Sequence, residues 1–218
     1  MKTRIMGRNQ QLMRVDRETT ADLSPELESC LLRSVEDRLP DIASVVLEDY
    51  NKGVLTGTVI RRIIANASEG GIPVFVDPKS RNFWEYRGCT LFKPNRHEAA
   101  AALGRTIEDA DQAAAAGASI MERLSPGAVL LTLGSMGSVL VQDVPGSVRH
   151  IPAVSRHVFD VSGAGDSVIA VMGLSGAVGL DVYQAATLAN LAAAAVCAEP
   201  GVYAVKPGDI IREARHLV

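Results

Sequence analysis

The segment Asp160-Val161-Ser162-Gly163-Ala164-Gly165-Asp166 runs directly into an apolar helical stretch that starts at Ser167. Glycine, alanine and glycine at the mouth of a helix let the backbone turn its unpaired N–H groups outward, where they and the helix dipole stabilise an anion. A carboxylate at Asp166 would repel that anion, so binding alone does not account for it, whereas a catalytic base does. Glycine turns also precede ordinary helices, and Asp is a routine cap there, so the loop by itself leaves a purely structural role open.

Two further clusters carry chemistry. Asn95-Arg96-His97-Glu98 ends a strand and opens a helix, which puts an amide and a carboxylate three residues apart on one face. Such a pair can hold a hydrated Mg²⁺ through its waters. Leu133-Gly134-Ser135-Met136-Gly137 is a second glycine turn, placed just after the most apolar strand, where open parallel sheets bind ligands. The G-K-[ST] order of a P-loop and the G-x-S-x-G nucleophile turn are both absent. His97-Glu98 opens like a zinc-protease helix, but Ala101 stands where the second ligand would be. Lys52 and Lys79 could meet a sugar or phosphate as point charges, or be solvated surface residues. Asp49 closes a buried strand at the ligand side of a parallel sheet, which suits contact with a sugar hydroxyl better than either lysine's position does, the alternative being a helix or turn cap.

These groups need a scaffold, and the spacing predicts one. Thr3 to Met6 and Gln11 to Val15 read as short strands, and Ser24-Pro25 caps a helix that runs to about Arg38. Apolar strands at Ala43 to Leu47, Pro73 to Val76, Thr90 to Phe92 and Ala128 to Leu133 alternate with helices. Those helices span Thr56 to Glu69, Arg96 to Leu103 and Ile107 to Arg123. Such alternation specifies an α/β fold with a parallel sheet covered on both faces. Gly137 to Val144 and Ser147 to Ile151 flank Pro145-Gly146 and read as an edge hairpin. Gly165 to Gly179, Val182 to Glu199 and Pro207 to Leu217 read as helices, the first two apolar enough to be buried on more than one face.

Composition narrows the function classes. The 218 residues are 47% hydrophobic and 22% charged, and 22 Lys plus Arg against 25 Asp plus Glu give a formal net charge of -3. No global positive field is present to hold nucleic acid or an anionic membrane. Cys30, Cys89 and Cys197 are widely spaced and odd in number, which predicts small buried thiols and neither disulfides nor a zinc site. The polar N-terminal stretch and the short apolar runs predict a cytoplasmic protein with no signal peptide and no membrane span.

Taken together, these residues resemble the ribokinase-like, or PfkB, family of carbohydrate kinases. Asp160 to Asp166 is similar to its D-T-T-G-A-G-D signature with Val161 and Ser162 substituted, Asn95 to Glu98 to its N-x-x-E motif, and Thr132 to Gly137 to its T-x-G-x-x-G nucleotide turn. Within the family, Gln10 to Glu18, Asp49 to Leu55 and Val76-Asp77-Pro78-Lys79 most resemble kinases that phosphorylate D-glycero-D-manno-heptose 7-phosphate at its anomeric hydroxyl. The resemblance implies a three-layer α/β/α fold with a mostly parallel sheet, and ATP and Mg²⁺ as cofactors. It makes Asp166 the base, with Gly163, Ala164 and Gly165 donating amides to the moving phosphoryl group. Asn95 and Glu98 order Mg²⁺, Gly134, Gly137 and Asp160 belong to the nucleotide site, and Asn190 lies near adenine.

Kinases of this family begin with a further third of a chain that carries the first strands, a glycine pair near the sugar and most of a β lid. Against that pattern, residues 1–20 read as a remnant of lid strands and 21–218 as the nucleotide-binding core. An uncovered strand edge and apolar surface then predict a homo-oligomer. Glu199-Pro200-Gly201-Val202-Tyr203 stands where the family has Gly-Thr, and no nucleotidyltransferase part is expected after Val218. Two other readings stay open: a catalytically silent nucleotide-binding module that acts by association, and a kinase of the same family for another sugar or a nucleoside.

Overall fold

The computed structural model describes residues 2–7, 10–142, 147–154 and 158–215. Lys2–Gly7 (β1) and Gln10–Asp16 (β2) pair antiparallel as a separate two-stranded sheet, with Ile5 opposite Met13 and Thr3 opposite Val15. Each predicted strand thus finds its partner in the other. Residues 17–24 then lead to Pro25–Glu36 (α1), where the Ser24 hydroxyl accepts from the Leu27 N–H and Pro25 supplies a preset first turn.

A six-stranded sheet forms the centre. Val45–Glu48 (β3), Val74–Asp77 (β4), Leu91–Phe92 (β5) and Ala128–Thr132 (β6) are parallel, and Ser138–Gln142 (β7) and Val148–Ile151 (β8) close one edge antiparallel. The strands lie in sequence order, which leaves β3 as the opposite edge. The predicted hairpin is present, although its Pro145-Gly146 turn lies outside the described residues.

The period of two along each strand builds two cores. Val74, Val76, Val129 and Leu131 face one side, where Gly57–Glu69 (α2), Arg96–Leu103 (α3) and Ala110–Leu124 (α4) cover them. Phe75, Ala128, Leu130 and Leu140 face the other side, under Ala164–Ala177 (α5) and Val182–Cys197 (α6). Pro207–Arg215 (α7) packs on α6. Helix α5 approaches the sheet closely, because a side chain at Gly176 would collide with the Phe75 ring and one at Gly173 with Val46.

Helix α5 is buried on more than one face, against β3 and β4 on one side and α6 on another, with Leu174 left 71% exposed. One expectation needs correction. Cys30 lies on the outer face of α1 and is exposed, while Cys89 is buried and Cys197 lies between.

Candidate active site

The carboxyl ends of the four parallel strands share one edge of the sheet, and the mouth of α5 opens over it. Gly163 caps α5 with φ 82°, a left-handed conformation that glycine adopts without steric cost. The Asp160 side chain accepts from the Ser162 N–H at 2.9 Å, forming the turn that launches the loop and holding the Asp160 carboxyl below the usual carboxylate range. The loop is tied to the end of α6, since the Phe159 N–H donates to the Cys197 carbonyl at 2.8 Å.

The backbone donors can be accounted for one by one. Among the described residues, the N–H groups of Gly163, Gly165 and Asp166 have no backbone acceptor. The Ala164 N–H donates to the Val161 carbonyl at 3.2 Å, so it is not the free donor expected at that position. The Asp166 side chain is exposed at the same mouth.

Around Asp166 stand residues that sequence reasoning passed over. Glu48 and Asp77 end neighbouring parallel strands in direct register, and with Asp166 each brings a carboxylate oxygen to within 4.8 Å of the others. Burial pushes the Glu48 carboxyl up, and the nearby Asp166 and Asp77 charges add to this against a bond from the Tyr50 hydroxyl. That hydroxyl donates to Glu48 Oε1 at 2.7 Å and lies 3.5 Å from Asp166 Oδ2. Burial, followed by the bond to Glu48, pushes the Tyr50 phenol up.

Two lysines offset this negative charge. Lys93 is 2% exposed, and its Nζ lies 3.1 Å from Asp77 Oδ2. The pair forms a floor beneath Gly165, where an added Cβ would lie 3.7 Å from the ammonium. Burial pushes the Asp77 carboxyl up, opposed by Lys93 and Lys79. Lys79 lies 2.6 Å from Glu98 Oε1 and 3.8 Å from Asp77 Oδ1. Burial alone would lower its ammonium, but Glu98 and Asp77 outweigh that and raise it. A chain of charged contacts thus links Asp166 through Asp77 and Lys79 to Glu98.

Asn95 and Glu98 form a reciprocal cap on α3: Asn95 Oδ1 accepts from the Glu98 N–H and Glu98 Oε2 from the Asn95 N–H. Direct metal ligation would compete with that cap and with Lys79. Each oxygen keeps a second lone pair, so the set fits a magnesium ion that retains its waters.

Other expected residues make their contacts elsewhere. Asp49 is buried, with Oδ2 accepting from the Tyr86 hydroxyl at 2.9 Å and Oδ1 from the Asn51 N–H at 2.7 Å, so it anchors a turn. Lys52 pairs with Glu18. Gly137 holds φ 87° under β8, where a side chain would collide with the Ile151 carbonyl, whereas Gly134 at φ 64° faces open space. The Asn190 amide donates to the Pro152 carbonyl at 2.7 Å, on the chain that packs over Gly137. A depression of about 680 Å³ opens at the β3 edge, lined by Glu18, Val46, Glu48, Tyr50, Lys52 and Leu55.

The architecture is the ribokinase-like α/β fold. It matches *Escherichia coli* phosphofructokinase-2 in complex with potassium at a TM-score of 0.81 and 19% identity, over 94% of this chain and 66% of that one. *Arabidopsis thaliana* ribokinase complexed with ribose and ATP matches at 0.71 and 20%, over 88% and 59%. Residues 2–208 match the pfkB family of carbohydrate kinases, and the chain belongs to that family. Among curated relatives, the bifunctional protein HldE of *Caulobacter vibrioides* is 46% identical over 96% of this chain and 43% of its own length. The HldE of *Citrifermentans bemidjiense* is 40% identical over 99% and 44%. The chain therefore spans less than half the length of these relatives. No helix among the described residues is long and apolar enough to cross a membrane.

Proposed function

We propose that this chain is an ATP-dependent kinase that phosphorylates the anomeric hydroxyl of D-glycero-D-manno-heptose 7-phosphate. The observation that carries the reading is the exposed Asp166 carboxylate beside the unpartnered Gly163 and Gly165 N–H groups at the mouth of α5. The similarity to HldE proteins over nearly the whole chain supports the choice of sugar.

In this reading Asp166 takes the proton of the sugar hydroxyl as its oxygen attacks the γ-phosphorus. The bond to the bridging oxygen breaks, and ADP leaves. The free amides and the α5 dipole stabilise the charge on the moving phosphoryl group, which is the main demand of phosphoryl transfer. The buried Lys93 ammonium under Gly165 adds positive potential at the same place. Asn95 and Glu98 would hold magnesium through its waters, and the ion would supply further neutralisation of phosphate charge. Gly134, Gly137, Asp160 and Asn190 are assigned to the nucleotide side, and Lys52, Lys79 and Asp49 to the sugar side, Asp49 as an anchor. The β1–β2 hairpin is assigned to a lid, and the protein to a homo-oligomer.

The test is ADP release with a panel of heptose 7-phosphate, fructose 6-phosphate and ribose. Turnover with the heptose phosphate well above the others is the expected result. Turnover with none of them, or preference for ribose, would overturn the reading.

A further inference from the structure

Lys79 stands where a metal ion would have to approach Glu98. Its ammonium lies 2.6 Å from Glu98 Oε1 and 3.8 Å from Asp77 Oδ1, and it donates to the Pro78 carbonyl at 3.3 Å. Among the described residues Glu98 has no other ion-pair partner, whereas Asp77 keeps a second one, with Lys93 Nζ 3.1 Å from Oδ2. The two lysines differ in what holds them. Lys93 is 2% exposed beneath Gly165, so it cannot leave Asp77 without stranding a buried charge. Lys79 lies just beyond the end of β4 with its side chain 32% exposed, so its flexible stem can carry the ammonium out into water.

Charge makes Lys79 and a divalent cation alternatives at this place. Glu98 and Asp77 are balanced by Lys79 and Lys93, and a magnesium ion approaching Glu98 Oε1 through its waters would bring two further positive charges to the oxygen that Lys79 already holds. Like charges this close repel, the more so beside largely buried carboxylates. We propose that Lys79 is a placeholder for the metal: without nucleotide its ammonium holds Glu98 and Asp77 in position, and it gives way when a divalent cation binds there. The inference rests on Asn95 and Glu98 being the magnesium side of the site, as proposed above. The exchange leaves helix α3 intact, because the Asn95 N–H donates to Glu98 Oε2 at 2.8 Å while Lys79 engages Oε1. The departing ammonium is then available to the sugar side, to which Lys79 is assigned.

The experiment is Mn²⁺ binding without nucleotide or sugar, followed by the electron-spin resonance signal of the unbound ion, in wild type, Lys79→Met, Lys79→Arg and Lys79→Met/Glu98→Gln. Mn²⁺ takes the same oxygen ligands as magnesium. Methionine keeps the unbranched stem and drops the charge, and glutamine keeps the α3 cap, since an amide oxygen serves there as a carboxylate does. Lys79→Met is expected to bind Mn²⁺ about tenfold more tightly than wild type, near the weight of one hydrogen bond between charged groups. Lys79→Arg should stay near wild type, and the double variant should lose the gain. Mn²⁺ should also raise the melting temperature of Lys79→Met more than that of wild type. Unchanged or weaker binding by Lys79→Met, an equal gain in Lys79→Arg, or a gain that survives Glu98→Gln overturns the inference. The binding is read without ATP or sugar, so it stands apart from the substrate panel. Turnover of the heptose phosphate without the gain in metal affinity would keep the kinase and remove the placeholder, and the gain without turnover would do the reverse.

Discussion

At the scale of single residues, the site is a balance of charges held at one sheet edge. Glu48, Asp77 and Asp166 crowd together, and the Lys93 and Lys79 ammonium groups make the crowding tolerable. The raised Glu48 carboxyl gives a pH-dependent prediction. A group whose folded pKa lies above its unfolded value contributes stability fully below the unfolded pKa, and that contribution is lost as pH rises through the folded pKa. Glu48→Gln removes the charge that is penalised at neutral pH, so thermal melts should show a melting temperature about 1–2 °C higher than wild type at pH 7.5 and no gain near pH 4. A loss of stability at pH 7.5 would mean that the Glu48 charge is needed by the fold. The sequence displayed Asp166 and its glycines because their spacing is local. Glu48, Tyr50 and Lys93 were hidden because their meeting depends on β3, β4 and β5 being neighbours in register, which no local pattern records.

At the scale of elements, the strands and helices were legible wherever period and caps agreed. Thr56, Asn95 and Asp109 cap α2, α3 and α4 with side-chain oxygens on backbone N–H groups. The apolar strands Val74–Asp77 and Ala128–Thr132 follow the runs that predicted them. What residue type could not show was which apolar side chains face out: Leu174 and Cys30 look like core residues by type and stand exposed on α5 and α1. The glycine turn after β6 separates two roles that look alike in sequence. Gly137→Ala forces a side chain into the Ile151 carbonyl at φ 87° and should cost about 3 kcal/mol or more in denaturant unfolding. Gly134→Ala at φ 64° meets open space and should cost only about 1 kcal/mol, with its larger effect on ATP affinity. Equal costs at the two positions would contradict this division.

At the scale of the whole molecule, the β1–β2 hairpin stands apart from the six-stranded sheet and carries Ile5, Met13 and Val15 exposed on one face. An apolar strand face in water favours association, and β3 offers an open edge besides. Sedimentation at about 50 µM is expected to show a dimer or larger species for wild type, and monomer for Met13→Glu/Val15→Glu with the same thermal stability. Monomeric wild type at that concentration would contradict the assignment of a homo-oligomer.

In the proposed reaction Asp166 accepts the proton of the substrate hydroxyl at the amide-lined mouth of α5. The most direct measurement is the turnover of Asp166→Asn with heptose 7-phosphate, beside ATP affinity by calorimetry. A drop in kcat of about a thousandfold with ATP affinity changed less than about twofold is the predicted result. A kcat within tenfold of wild type would contradict it.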